Sequence, residues 1–268
     1  MDLLGVTSHR LARERADLHL EPGETYVAGG TWLFSEPQPA TTGLVDLTSL
    51  GWPPVEKRPD DGIRIGATCT IAQLLAWPWP PAVADLAGRC ADALLMSFKV
   101  RHAATVGGNL CLALPAGAMT ALLAALDGQV LIWSADGGER REPVTHFVRS
   151  PGVTSLSPGE VVRAIDIPAP ALGAGYVLRR IALTPYGRTS AMVIARRQGD
   201  GVVLTVTGST PRPLVFEVGT VEEARTVIGT VQEWYADAHG ATDWRAAMTE
   251  RLAADAAAES LRDPGRES

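Results

Sequence analysis

Two glycine pairs, Gly29-Gly30 and Gly107-Gly108, constrain this chain more than anything else in its sequence. The second lies in Arg101–Leu126, RHAATVGGNLCLALPAGAMTALLAAL, where a polar Gly-Gly turn runs into a long apolar segment. Lacking a Cβ, each glycine is free to take positive φ or to let a ligand come close to the backbone. Thr105 and Asn109 flank the pair with groups that hydrogen-bond a ligand or cap the turn. From Pro115 onward, Ala, Leu and Met predict a helix, with Pro115 in its first turn, where a missing N–H costs nothing.

The first pair sits in Val27-Ala28-Gly29-Gly30-Thr31. Two such loops can grip one anion from both sides, because converging backbone N–H groups bind phosphate without Lys or Arg. Taken singly, each pair is a tight turn between secondary elements. Taken together, and closed by Thr31 and Asn109, they point to a diphosphate-bearing cofactor without naming it.

With 268 residues, 46% of them hydrophobic, the chain has material for a sizeable core divided into two units. A net charge of −6 argues against a nucleic-acid partner. Cys69, Cys90 and Cys111 are scattered, with no CxxC pair, so this chain cannot hold an iron–sulfur cluster or a four-Cys zinc site on its own cysteines. Charged residues interrupt the first twenty positions where a secretory signal needs an apolar run, and no stretch reaches eighteen uninterrupted apolar residues; the expectation is a cytoplasmic protein with no membrane span.

Along the chain, residues 1–20 are expected to be helical, ended by Pro22-Gly23. Thr25–Val27 and Leu44–Leu47 are expected to be strands of a small parallel α/β unit. A break at 51–61 precedes a strand at 62–67, a helix at 71–75 capped from Thr68 or Thr70, and a second helix at 82–95. Strands are predicted at 129–133 and 160–168. The stretch 168–175, PAPALGAG, is the best domain boundary, separating 1–168 from 169–268. Beyond it, strands near 175–180, 190–197 and 201–208 suggest an antiparallel meander, followed by helices at 220–238 and 243–258 and a frayed tail at 262–268.

The motifs VAGGT at 27–31 and ATVGGNLCLALPAG at 104–117, with Arg179-Arg180, TGSTPRPL at 207–214 and DWR at 243–245, carry a family resemblance over almost the whole chain. It resembles the FAD-binding medium subunit of the xanthine dehydrogenase and carbon monoxide dehydrogenase type of molybdenum hydroxylase. That resemblance implies an α/β (α+β) fold: a two-subdomain FAD-binding domain of the PCMH type (about 1–55 and 56–168), then a three-stranded antiparallel sheet with helices. It places the FAD diphosphate on Val27, Ala28, Gly29, Gly30 and Thr31 from one side and on Thr105, Val106, Gly107, Gly108 and Asn109 from the other, with His102 and Arg179 nearby. No catalytic side chain and no metal ligand is implied in this chain. The implied partners are a small subunit with two [2Fe-2S] clusters and a large molybdopterin subunit, as a dimer of heterotrimers, with NAD or another soluble molecule as acceptor.

Two departures stand out. Where the family has a Ser-Pro pair and then an acid, this chain has Leu114-Pro115 and Ala118; where the family has an acid after the double-basic segment, it has Tyr186 and Arg188. No acid occurs from Ile167 to Gly199, a span holding Arg179, Arg180, Arg188, Arg196 and Arg197. It reads either as a solvated strand face or as a docking patch for an acidic partner or a nicotinamide phosphate. Trp32, Trp79 and Tyr186 are expected to pack, and the other histidines to lie on the surface. A stand-alone flavin oxidoreductase of the same fold and a flavin-less structural subunit are the alternatives. The oxidised substrate is not legible, since the resemblance places it on another chain.

Overall fold

The computed structural model describes residues 3–262; the tail expected to fray lies, from residue 263 onward, outside the described residues. β1 (Ser8–Leu11), β2 (Glu24–Val27) and β3 (Gly43–Asp46) form a parallel sheet in the order β1-β3-β2. The helix expected over residues 1–20 is corrected by the structure: Ser8–Leu11 is a strand and only Arg15–Leu18 turns, as one 3-10 turn. Leu4, Leu11 and Leu18 recur every seventh residue, but Thr7, Ser8, Glu14 and Arg15 hold the intervening i+3 and i+4 positions, so no continuous apolar stripe forms. Arg10 instead folds the segment back, donating through Nε to Glu24 at 2.9 Å and through Nη1 to the Asp17 carbonyl at 2.6 Å.

The second sheet contains β4 (Val55–Lys57), β5 (Ile63–Gly66), β6 (Gln129–Ser134), β7 (Glu139–Pro143) and, after the β8 (Val148–Ser150) and β9 (Val153–Thr154) hairpin, β10 (Glu160–Ile167). Its order is β4-β5-β10-β6-β7, antiparallel throughout. Between β5 and β6 run α1 (Ile71–Ala76), α2 (Pro81–Ala93), α3 (Phe98–Ala103), α4 (Val106–Cys111) and α5 (Ala118–Ala125). Thr70 and Gln73 close a reciprocal capping box at α1. Every residue of α5 is buried, which its Ala, Leu and Met composition permits. Pro115 is not in its first turn: Gly117 is the N-cap, and the Pro115 carbonyl instead accepts from Gly208 N–H at 2.8 Å.

Two side-chain assemblies join these parts. Arg163 lies between Trp52 (4.6 Å to the ring centroid) and Trp133 (5.3 Å), and Arg15 lies over Trp133 at 4.5 Å, linking the N-terminal segment to β6 and β10. Asp166, 6% exposed on β10, is gripped by Arg64 Nε at 2.7 Å and by Arg58. Burial alone would push this carboxyl up; the Arg64 and Arg58 hydrogen bonds outweigh it and hold it below the usual carboxylate range. A depressed native pKa stabilises the fold above the unfolded value, and that contribution is lost as pH falls through the native one. Melting temperature is therefore expected to fall on acidification below about pH 5. Asp166→Asn should lower it at neutral pH and flatten the acid slope, as calorimetry across pH would read.

After α6 (Val144–Phe147, between β7 and β8) and α7 (Ala169–Leu172), the chain forms a meander of β11 (Tyr176–Ile181), β12 (Ala191–Gln198), β13 (Gly201–Thr207) and β14 (Leu214–Val218). The expected antiparallel sheet thus has a fourth strand, β14, paired to β13. α8 (Val221–Gly229) and α9 (Thr242–Leu261) follow. The helix expected to reach residue 238 stops at Gly229; Tyr235 N–H beyond it donates to the Ser209 carbonyl at 2.8 Å, a long-range bond that an extended chain makes. Strand alternation explains why both faces of this sheet are buried. Leu178, Met192 and Ile194 join the first core, while Val193, Ala195, Leu204 and Val206 pack with Ala253, Ala256 and Ala257 of α9. Among the described residues, no helix is long and apolar enough to cross a membrane.

Candidate cofactor cleft

The two glycine pairs meet. β2 ends at Val27, and the turn that follows brings Gly29 against the chain leading into α4: a Cβ on Gly29 would lie 2.0 Å from the Ala103 carbonyl oxygen. Gly30 has φ +65°, the left-handed region glycine favours, and Phe34 covers it while donating its N–H to the Gly30 carbonyl at 2.9 Å. Gly107 and Gly108 are not in a free loop but in the first turn of α4, capped by Thr105, whose Oγ1 accepts from Gly108 N–H at 3.1 Å. Gly107 is needed for close approach, since a Cβ there would stand 2.8 Å from the Ala67 carbonyl oxygen. A cavity of about 340 Å³ separates the two sides, lined by Val27 to Thr31 on one and by Ala104, Thr105, Gly108 and Asn109 on the other.

Its two sides offer different donors. Among the described residues, none accepts a hydrogen bond from the backbone N–H of Ala28, Gly29, Gly30 or Thr31. On the α4 side the backbone donors are already engaged: Val106 with Cys69 O at 2.8 Å, Gly107 with Ala67 O at 2.9 Å, Gly108 with Thr105 and Asn109 with Thr105 O at 2.9 Å. What α4 presents is side-chain chemistry. Thr105 Oγ1 keeps its own proton, and Asn109 Oδ1 accepts from Met119 N–H at 3.0 Å, which fixes the amide and leaves its NH₂ group to donate.

The glycine-lined cavity adjoins two others, with which it shares lining residues. One, of about 260 Å³, lies against the C-terminal sheet and shares Thr31, Trp32, Ala104, Asn109 and Leu112 with it. Its inner wall is apolar, with Leu94, Met96, Val100 and Leu114; its outer wall carries Arg188, Thr189, Tyr235, Asp237, His239 and Arg245. The other, of about 200 Å³, shares Tyr26, Ala28, Gly108 and Cys111 and is walled by Leu47, Ala67, Leu156, Val161 and Val162. The result is a groove with a donor-rich middle and an apolar compartment at each end, proportions suited to a dinucleotide. Burial pushes the thiol of Cys111, which lines two of these cavities, up to about 12, so it stays protonated there at neutral pH.

Three of the expected site residues stand elsewhere. His102 is exposed on α3, tilted against Phe98 with ring centroids 4.2 Å apart and its Nδ1 hydrogen-bonded to the Phe98 carbonyl. Val106 is fully buried in the core, and Arg179 pairs with Glu259 of α9; none of the three lines these cavities. Of the departures, Leu114 is in the apolar wall, whereas Ala118 is buried at the start of α5. Sequence reading did not assemble the outer wall: Arg188 stands out only within the acid-free span and Arg245 only within DWR, while Thr189, Tyr235, Asp237 and His239 bear no local motif.

The chain belongs to the family described as the FAD binding domain in molybdopterin dehydrogenase, whose model matches residues 9–170. Among its relatives is the carbon monoxide dehydrogenase medium chain of Afipia carboxidovorans, 27% identical over 192 residues, a match spanning 70% of this chain and 65% of that one. The aldehyde oxidoreductase FAD-binding subunit PaoB of Escherichia coli is 23% identical over 271 residues, spanning 81% and 85%. The solved quinoline 2-oxidoreductase from Pseudomonas putida 86 superposes with a TM-score of 0.78 at 22% identity, covering 98% of this chain and 100% of that one, and supports the fold.

Proposed function

We propose that this chain binds FAD along the three-part cleft and serves as the FAD-binding electron-transfer subunit of a multi-subunit molybdenum hydroxylase, between a [2Fe-2S] subunit and an external acceptor. The observation that carries the reading is the row of unengaged amides from Ala28 to Thr31 facing Thr105 and Asn109 across a glycine-lined cavity. These groups would hold the diphosphate: four backbone donors and two fixed side-chain donors suit an anion, with no lysine or arginine in the lining. The larger compartment would take the flavin ring and the smaller one the adenine. FAD, when bound, would take up electrons one at a time from a one-electron donor and release them singly or in pairs, so the protein's work is to bind, orient and shield it. Leu94, Met96, Val100 and Leu114 keep water from one wall, and Trp32, 40% exposed, stands where middle and larger compartments join.

Two relatives are named as a medium chain and as an FAD-binding subunit, in keeping with one chain of a larger enzyme. On this reading residues 1–168 form the FAD-binding domain and 169–268 its C-terminal companion, with a small [2Fe-2S] subunit and a large molybdopterin subunit as partners and NAD or another soluble acceptor. The purified chain is expected to be yellow, or to become so with FAD, at one FAD per chain. Flavin absorbance after gel filtration, with calorimetric titration of stripped protein, checks this. Protein that stays colourless and gives no binding heat would leave the flavin-less structural subunit, to which Leu114 and the engaged α4 amides lend support.

A further inference from the structure

Three of the five arginines in the acid-free span have partners in the folded chain. Arg179 pairs with Glu259, Arg197 donates to the Ser260 carbonyl at 2.8 Å and Arg180 donates to the Gly187 carbonyl at 3.1 Å, while Arg196 is half-buried on β12, away from the cavities, with its Nε unpartnered among the described residues. Arg188 is different. It is exposed, lines the larger compartment, and among the described residues makes no hydrogen bond or ion pair. Its backbone is nevertheless held. Next to it, buried Thr189 donates to the Ala93 carbonyl at 3.3 Å, and Ser190 donates to the His239 carbonyl at 2.6 Å, so the segment is pinned to both sides of the compartment.

The charges facing this compartment can be counted group by group. Arg245 and Asp237 neutralise each other, with Nη2 2.5 Å from Oδ1. Tyr235 and His239 complete the titratable lining, and the opposite wall is apolar. Arg188 therefore supplies an uncompensated positive charge at the mouth of a cavity with a low-dielectric wall, where a charge acts more strongly than on an open surface.

Resting on the flavin reading above, we propose that Arg188 is a tuning residue: its guanidinium stabilises negative charge on the flavin ring in the larger compartment and so raises the reduction potential. Two electrons and one proton taken up by the oxidised ring leave it with one negative charge, which the guanidinium attracts. The same charge favours loss of the N3 proton from the oxidised ring, an effect that involves no electron transfer.

The test uses the full chain loaded with FAD, as wild type and as Arg188→Ala, Arg188→Glu and Arg188→Lys. Dithionite, the electron donor in the assay, is titrated anaerobically against a reference dye, and the N3 proton is titrated by absorbance. All four proteins are expected to bind FAD. Arg188→Ala should lower the equilibrium constant for reduction by roughly tenfold, about 30 mV for a two-electron couple, and raise the N3 pKa. Arg188→Glu should shift both further, and Arg188→Lys should stay near wild type. Flavin-loaded Arg188→Ala and Arg188→Glu with wild-type potential and N3 titration would overturn the assignment and leave the flavin reading intact. Equal losses in the Lys and Ala variants would also overturn it, since charge would not be the cause. Wild-type protein that takes up no FAD would overturn the assignment together with the flavin reading.

Discussion

Gly29→Ala is expected to lower both the melting temperature and the FAD affinity of this chain more than any other single methyl group added at the cleft. The new Cβ would lie 2.0 Å from the carbonyl oxygen and 2.8 Å from the carbonyl carbon of Ala103, and both are backbone atoms that cannot rotate aside. Relief requires the turn after β2 and the segment entering α4 to separate, which moves the two walls that define the middle compartment. Overpacking of this kind costs roughly 3 kcal/mol, or about 6–12 °C of melting temperature in a chain this long. FAD affinity is expected to fall at least about 100-fold, several donors being lost at roughly 1.5 kcal/mol each. Bound FAD itself raises the melting temperature by mass action, so both stripped and loaded protein must be measured.

Two glycines give the contrast that makes this result specific. At Gly108 a Cβ would meet only Thr105 Oγ1, at 2.9 Å, while facing the cavity. Gly108→Ala should therefore cost little stability and weaken FAD by a smaller factor. At Gly88, inside α2, a Cβ meets nothing, and Gly88→Ala should stabilise by about 0.5–1 kcal/mol through helix propensity. Wild-type melting and wild-type FAD binding in Gly29→Ala would show that the turn does not define the cleft.

What the sequence made legible follows the range of the interactions involved. The Thr70 cap, α2, the β12–β13 turn and the facing glycine pairs depend on neighbours within a few residues, or on a residue type with no substitute, and these were readable. The engaged donors of α4 were not: Val106 and Gly107 give their N–H groups to Cys69 and Ala67, nearly forty positions earlier, and nothing around Gly107 announces it. Gly107 looked like a phosphate-binding position because a glycine admits close approach, but what approaches is Ala67 of the same chain. The basic span misled for the same reason. Its counter-charge comes from Glu259, 80 positions from Arg179, so a run that looked acid-free in sequence is partly neutral in space. The N-terminal segment differs from the expected helix for another reason: Arg10, inside that span, ties β1 to β2 through Glu24, fourteen positions on.

Replacing Arg245 with alanine is expected to remove a larger share of the fold's stability than any other substitution in the outer wall. Its side chain is 1% exposed, at the start of α9, and burial lowers its pKa from the usual arginine value. Nη1 donates to the Gly208 carbonyl at 2.8 Å and Nη2 to Asp237. Gly208 in turn gives its N–H to Pro115, so this one guanidinium connects α9, the turn after β13 and the segment entering α5. Removing it leaves the Gly208 carbonyl without its donor and takes one donor from Asp237, which keeps His239 N–H at 2.8 Å and is 32% exposed, at a cost of about 3 kcal/mol. Lysine cannot restore the arrangement, because two acceptors in different directions need the planar fork of guanidinium. Losing Asp237 as well removes an interaction already broken, so Arg245→Ala with Asp237→Ala should be less damaging than the two single losses added together, with a coupling of at least about 1 kcal/mol. Urea denaturation of the four proteins in that cycle decides the matter. Additive losses would mean that the pair is not a unit, and that the wall behind Tyr235 and His239 is held by the packing of α9 against the sheet alone.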